Sequence, residues 1–169
     1  MSEGRFDPGA IVAALHRHGV DFVVIGGIAA QLWGSPSSTI DLGICYSRRP
    51  ENLTRLADAL RHLKARLRGV REEVPFRLDA RTLAAGDHFT FQTDTGDFDC
   101  LGVPTGTSGY DDLKADAEQM DVDGLKVWVA SMDDLIRMKR ATGRAKDRIE
   151  VEVLGALRDE LGRRRRRPR

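Results

Sequence analysis

Apolar residues recur along the chain in two rhythms, and each predicts a kind of element. Over residues 8–18 the apolar Ile11, Val12 and Leu15 share one helical face, and Gly19 ends the run. Phe22, Val23, Val24 and Ile25 form a short continuous apolar run, which predicts a buried strand. Gly26-Gly27 predicts a sharp turn, and residues 28–33 a short helix starting from it. Residues 34–38 are a loop by composition, and residues 40–46 a second strand. Pro50, in the favoured first-turn position, opens a helix to about Leu67. The stretch 69–86 contains Pro75 and carries a short helix near residues 80–85. Residues 88–93 and 97–101 read as strands joined by Asp94-Thr95-Gly96, which makes a hairpin. A helix over 110–118 precedes a strand over 125–129. Ser131 with Asp134 resembles a capping box opening a helix through Ala141; Gly143 breaks it, and a last helix covers about 146–161.

The 169 residues suggest one domain, and 41% hydrophobic residues are enough for a packed core. No apolar run is long enough to cross a bilayer, and the first six residues carry no apolar signal region. The two cysteines, Cys45 and Cys100, each sit in an apolar stretch and read as small core residues. That usage fits a reducing cytoplasm, and the lack of a long apolar run leads to the expectation of no membrane partner. A net charge of +1 hides a polarity. From Asp94 to Asp134 there are 11 acidic residues against two lysines; from Arg137 onward there are 13 basic residues against five acidic ones. Such a distribution suggests an anionic partner on the basic side. Residues 163–169 read as a disordered basic tail behind a domain of residues 1–162. Arg48, Arg49, Arg55, Arg61, Lys64, Arg66 and Arg68 form either an RNA-binding face or an ordinary solvated one.

The candidate chemistry starts at the strand–Gly26-Gly27–helix unit. Glycines allow close approach of backbone to a ligand, and amides at a helix start form an anion site for phosphates. Neither Walker nor dinucleotide-binding spacing follows. Ser37-Ser38-Thr39-Ile40-Asp41 then brings hydroxyls and a carboxylate to the start of the next strand. Much later Asp99 lies alone among Phe98, Cys100 and Leu101. Charged groups are rarely left unpaired in a core. Two strand-borne carboxylates supply the hard oxygens a magnesium site needs.

The run 24–27, Ala29, Gly34-Ser35, Thr39 and Asp41 resembles the signature of minimal nucleotidyltransferases of the DNA-polymerase-beta superfamily. Asp99 matches the family's third carboxylate. Residues 127–140, then Gly143-Arg144 and Lys146-Asp147, are similar to the C-terminal pattern of the AbiEii/MenT-like toxin branch. The resemblance covers roughly residues 20–157. It implies an α/β (α+β) fold, a short mixed sheet flanked by helices with a helical C-terminal part. It implies transfer of a nucleoside monophosphate from a nucleoside triphosphate with loss of pyrophosphate. Gly26 and Gly27 would cradle the triphosphate, with Ser38 and Thr39 beside it. Asp41 and Asp99 would hold Mg2+, and Asp99 would help activate the attacking hydroxyl. Lys139 and Asp147 match the branch's Lys and Asp, and Lys139 could neutralise charge developing on the phosphates.

One departure stands out. The family pattern has Asp-x-Asp where this chain has Asp41-Leu42-Gly43. Three explanations stay open: a weakened enzyme, an inactivating change, or Asp97 serving as the substitute ligand. The first expectation for function is a toxin modifying the 3′ end of tRNA, antagonised by an antitoxin. The alternatives are a protein- or small-molecule-directed transferase, or a catalytically silent scaffold that binds nucleotide or a partner. Thr39 is a candidate regulatory position, since a phosphate there would crowd the acids; otherwise its hydroxyl is a simple ligand.

Overall fold

The computed structural model describes residues 5–69 and 77–166. Pro75 and the last three residues of the basic tail lie outside them. Helix α1 (Pro8–Arg17) is capped by Asp7, whose Oδ1 accepts from the Ala10 amide at 3.1 Å. It buries Ile11, Val12 and Leu15, the apolar face the spacing requires. Strand β1 (Phe22–Ile25) is buried along its length. Helix α2 (Gly26–Trp33) begins on the two glycines themselves, so the expected turn is the helix's own first turn. Strand β2 (Asp41–Tyr46) follows, then α3 (Pro50–His62).

Helix α3 stops earlier than the expected Leu67. Leu63 is its C-cap, and Lys64 takes a left-handed backbone at φ 53°. The freed residues form β3 (Arg66–Leu67), a two-residue strand whose charged flanks carry no periodic signal. Next come α4 (Ala80–Ala85), the hairpin β4 (His88–Thr93) and β5 (Gly96–Leu101), and α5 (Tyr110–Asp116). The fifth helix ends two residues before the expected Glu118, and the stretch after it, for which the sequence predicts no element, is an edge strand, β6 (Glu118–Val122), paired with β7 (Leu125–Val129). Its sequence Glu-Gln-Met-Asp-Val has no strong strand formers until Val122, so only the pairing reveals it. Helix α6 (Met132–Thr142) starts at the expected cap, with Ser131 Oγ accepting from the Asp134 amide at 3.1 Å. Helix α7 (Ala145–Arg166) runs beyond the expected end near Leu161 and takes in Arg163 to Arg166. Ion pairs of Arg163 and Arg164 with Glu160, at 3.2 and 3.5 Å, support that last turn.

The seven strands form one mixed sheet in the order β3-β4-β5-β2-β1-β7-β6. β2 runs antiparallel to β1 and parallel to β5, and β1 runs parallel to β7. Alternation then sorts the central strands. Leu42, Ile44, Phe98, Cys100 and Phe91 are fully buried on one face. Burying a side chain of this kind contributes about 1.5–3 kcal/mol. Their neighbours Asp41, Gly43, Asp97 and Asp99 are only partly covered on the other face. Both cysteines are free and buried, as expected of core residues. Among the described residues, no helix is long and apolar enough to cross a membrane.

Candidate active site

The sheet register assembles the acids. Asp41 of β2 lies beside Asp97 of β5, and Gly43 lies beside Asp99. Side-by-side residues on neighbouring strands point to the same face, with strands about 4.8 Å apart. Asp41, Asp97 and Asp99 therefore share one surface, although 56 residues separate Asp41 from Asp97 in sequence. β4 adds His88, Thr90 and Gln92 to that surface, opposite Leu101, Asp99 and Asp97 respectively.

The phosphate-binding candidates lie on the other flank of β2. Ile25, the last residue of β1, pairs with Gly43, so α2 springs from the sheet next to the acids. Gly26 needs its missing side chain because its φ is +72°. Gly27 needs it for space: a Cβ there would lie 2.8 Å from the Thr39 Cβ. Ile25, the N-cap of α2, provides no side-chain hydrogen bond to the first-turn amides. Those donors suit an anion. Thr39 Oγ1 donates to Asp41 Oδ1 at 2.8 Å, which fixes the carboxylate's orientation. Ser38 is exposed on the same loop. The loop is fastened by Gln31, whose Nε2 donates to the Ser37 carbonyl at 2.7 Å, and by Ser37 Oγ, which donates to Glu150 of α7 at 2.6 Å.

A cleft of about 610 Å³ brings Gly26, Asp99 and Lys139 together. His88, Thr142 and Arg144 add polar groups, and Ile25, Leu101, Val103, Leu135 and Met138 add apolar wall. Asp147 is not part of the lining. It is fully buried behind it, accepting from Thr142 Oγ1 at 2.6 Å, from Arg144 Nε at 2.8 Å and from Lys139 Nζ at 3.4 Å. Burial raises its pKa, but the Thr142 and Arg144 hydrogen bonds and the Lys139 charge outweigh this and hold it at about 2. Asp147 thus holds Lys139 in place across the α6–α7 joint. Asp99 shows the opposite balance. Burial raises its pKa, Arg68 opposes that, and the nearby Asp41 charge adds to the rise.

Arg68, reached from β3, bridges two of the acids, Nη1 to Asp97 at 2.9 Å and Nη2 to Asp99 at 2.5 Å. Sequence reasoning placed this arginine only on a possible RNA face. The sequence lets His88 reach a substrate from the hairpin, with a surface strand residue as the plainer reading, and it does not single out Thr142 or Arg144 as cleft residues. The signal that would have found Arg68 and His88 is the hairpin register, which puts β3 and β4 on the acid-bearing face.

The donor set fits a hard divalent cation in an open site. Asp41 and Asp99 supply carboxylate oxygens from adjoining strands, as diagonal neighbours on one face of the sheet. Among the described residues no group of three His, Cys, Asp or Glu closes a metal cage, so substrate oxygens would have to complete the coordination. Position 43 has room for a Cβ. A Cβ there would meet the Ile25 carbonyl oxygen at 3.4 Å, an ordinary contact. Gly43→Asp is therefore expected to fold and to raise transfer, about tenfold if a second cation contact is what is missing. An unchanged rate in an active parent would point to Asp97 as the working substitute.

No family model and no curated protein matches the sequence. Solved structures do match the fold. The lincosamide antibiotic adenylyltransferase LnuA, bound to lincomycin, superposes with a TM-score of 0.61 at 10% identity, over 91% of this chain and 99% of its own. A candidate nucleotidyltransferase from Thermotoga maritima gives 0.54 at 19% identity, over 91% of this chain and 89% of its own. The antibiotic-resistance factor ANT(2'')-Ia gives 0.52 at 14% identity, over 91% and 88%. The chain has the fold of these nucleotidyltransferases, a mixed sheet flanked by helices, along nearly its whole length.

Proposed function

We propose that the chain is a nucleotidyltransferase that moves a nucleoside monophosphate from a nucleoside triphosphate onto an acceptor hydroxyl. The observation that carries this is the convergence of Gly26, Asp99 and Lys139 on one cleft, with Asp41 on the adjoining strand. The first-turn amides of α2 and the Lys139 ammonium bind the triphosphate. A magnesium ion held by Asp41 and Asp99 would supply charge neutralisation at the phosphates, with no further carboxylate at Gly43. The acceptor oxygen forms a bond to the α-phosphorus, the bond to the bridging oxygen breaks, and pyrophosphate leaves. Asp99, which lines the cleft, takes the acceptor's proton.

The acceptor we favour is the 3′ end of tRNA. Lys139, Arg140 and Arg148 line a second opening of about 490 Å³ that shares Lys139 with the cleft. Arg163 to Arg166 add a second basic run at the far end of α7, beyond Glu150, Glu152, Asp159 and Glu160. Such a series suits a phosphate backbone. The activity would then be a toxin's, checked by an antitoxin. Thr39 is a natural point of control, because a phosphate on it would face Asp41, to which its hydroxyl now donates. A small-molecule acceptor is the second possibility, favoured by the apolar wall of the cleft and by the antibiotic substrate of LnuA. Labelled nucleoside triphosphates, offered with total tRNA and with a panel of hydroxylated antibiotics, separate the two. Transfer to RNA predicts label on tRNA that periodate oxidation of the 3′ end abolishes. It also predicts tRNA binding that weakens steeply with salt, with a slope reduced by deleting residues 163–169. Label on an antibiotic alone contradicts the RNA acceptor.

A further inference from the structure

Arg68 deserves a role of its own in the proposed site. Its backbone is fixed by the sheet: the Arg68 amide donates to the Thr90 carbonyl at 2.9 Å, directly after the paired Arg66 and Leu67. That ladder places the side chain over the acid-bearing face. The planar guanidinium then spans Asp97 and Asp99 with a separate nitrogen for each. Lysine, a point charge, cannot hold two carboxylates in that way. Among the described residues no other cation forms an ion pair with either acid. The three participating side chains keep only about a quarter of their surface exposed, between 25% and 28%. Solvent therefore screens the pairs less than it would on an open surface.

We propose that Arg68 is a built-in counter-ion that competes with a divalent cation for Asp99, which it clamps together with Asp97. This rests on the reading of Asp41 and Asp99 as a cation-binding pair. Binding of the cation is then an exchange, in which the guanidinium leaves Asp99 as the cation arrives. The triphosphate helps the exchange, because its oxygens offer the displaced fork another bidentate anion. The cation without nucleotide must displace Arg68 with no such compensation, so the site is biased against filling by metal alone. A triphosphate thus loads the site by contributing on both sides of the exchange.

The experiment is a Mn2+ titration of the full chain, read by the electron paramagnetic resonance signal of free Mn2+, with no nucleotide present. Arg68→Gln is expected to bind Mn2+ about tenfold more tightly than wild type, because the acids lose their competitor. Arg68→Lys, which keeps a charge but loses the fork, is expected to fall between the two. Adding Asp99→Asn to Arg68→Gln should abolish the tightened site. Equal or weaker binding by Arg68→Gln overturns the counter-ion role while leaving the carboxylate pair intact. Absence of Mn2+ binding in every variant overturns the carboxylate pair and the counter-ion role together. Circular dichroism reports whether Arg68→Gln folds; if it does not, Arg68→Lys decides, with affinity no tighter than wild type counting against the proposal.

Discussion

Asp99→Asn is expected to lower nucleotidyl transfer at least about 10³-fold, the scale of losing one preorganised charge aimed at a reacting centre. The change keeps the size and shape of the side chain but removes its charge and its ability to take a proton. No neighbour on β2 can replace it, because the residue at its side is Gly43. The loss should appear in kcat and in magnesium-dependent nucleotide affinity together, since the carboxylate both helps hold the cation and takes the acceptor's proton. Stability should hardly move. The Arg68 pair that is weakened is partly exposed, and pairs of that sort contribute about 0–1 kcal/mol. A rate within about threefold of wild type would remove Asp99 from the chemistry.

The second large effect is expected at Lys139 and behind it. Lys139→Ala should cost about 10²-fold in transfer, because the cleft loses the ammonium proposed to neutralise the phosphates. Asp147→Asn should also lower kcat, but by a different route. It leaves the lining unchanged and removes the carboxylate that holds Lys139 and Arg144. The losses of the two variants should not add, since both act through Lys139. Their stabilities should differ. Asp147 is fully buried with three donors, and removing its charge should destabilise by about 2 kcal/mol, the range of charged hydrogen bonds. The pH dependence has a definite sign. The folded pKa, about 2, lies below the ordinary 3.8, so this stabilisation is fully present above 3.8 and is lost as pH falls toward 2. Thermal melts between pH 5 and pH 2 should show the wild-type curve falling toward that of Asp147→Asn. Parallel curves would deny Asp147 its ionic role.

Much of this architecture is legible in the chain. Continuous apolar runs identify β1 and most of β2, Pro50 marks the start of α3, and Ser131 marks α6, because each signal is local. β3 and β6 are hidden because they are short or polar and exist through pairing with β4 and β7. The end of α3 is hidden for a related reason: Lys64 adopts a left-handed backbone usually reserved for glycine. At the site, Gly26, Gly27, Thr39, Asp41 and Asp99 stand out because lone acids and paired glycines are unusual beside apolar strands. Asp147 stands out equally in sequence, yet lies buried behind Lys139 rather than facing the cleft. Arg68 is one arginine among many until the sheet register sets it against Asp97 and Asp99. Periodicity places residues on faces; it does not say which faces meet.

The central claim is that Asp41 and Asp99 couple a divalent cation to a nucleoside triphosphate. Calorimetric titration of each nucleoside triphosphate into wild type and Asp41→Ala, with magnesium and with chelator, tests it most directly. The account predicts that wild type binds at least one triphosphate tightly only with magnesium, and that Asp41→Ala loses that magnesium dependence. Equal affinity in the two proteins, or binding indifferent to chelator, would contradict it.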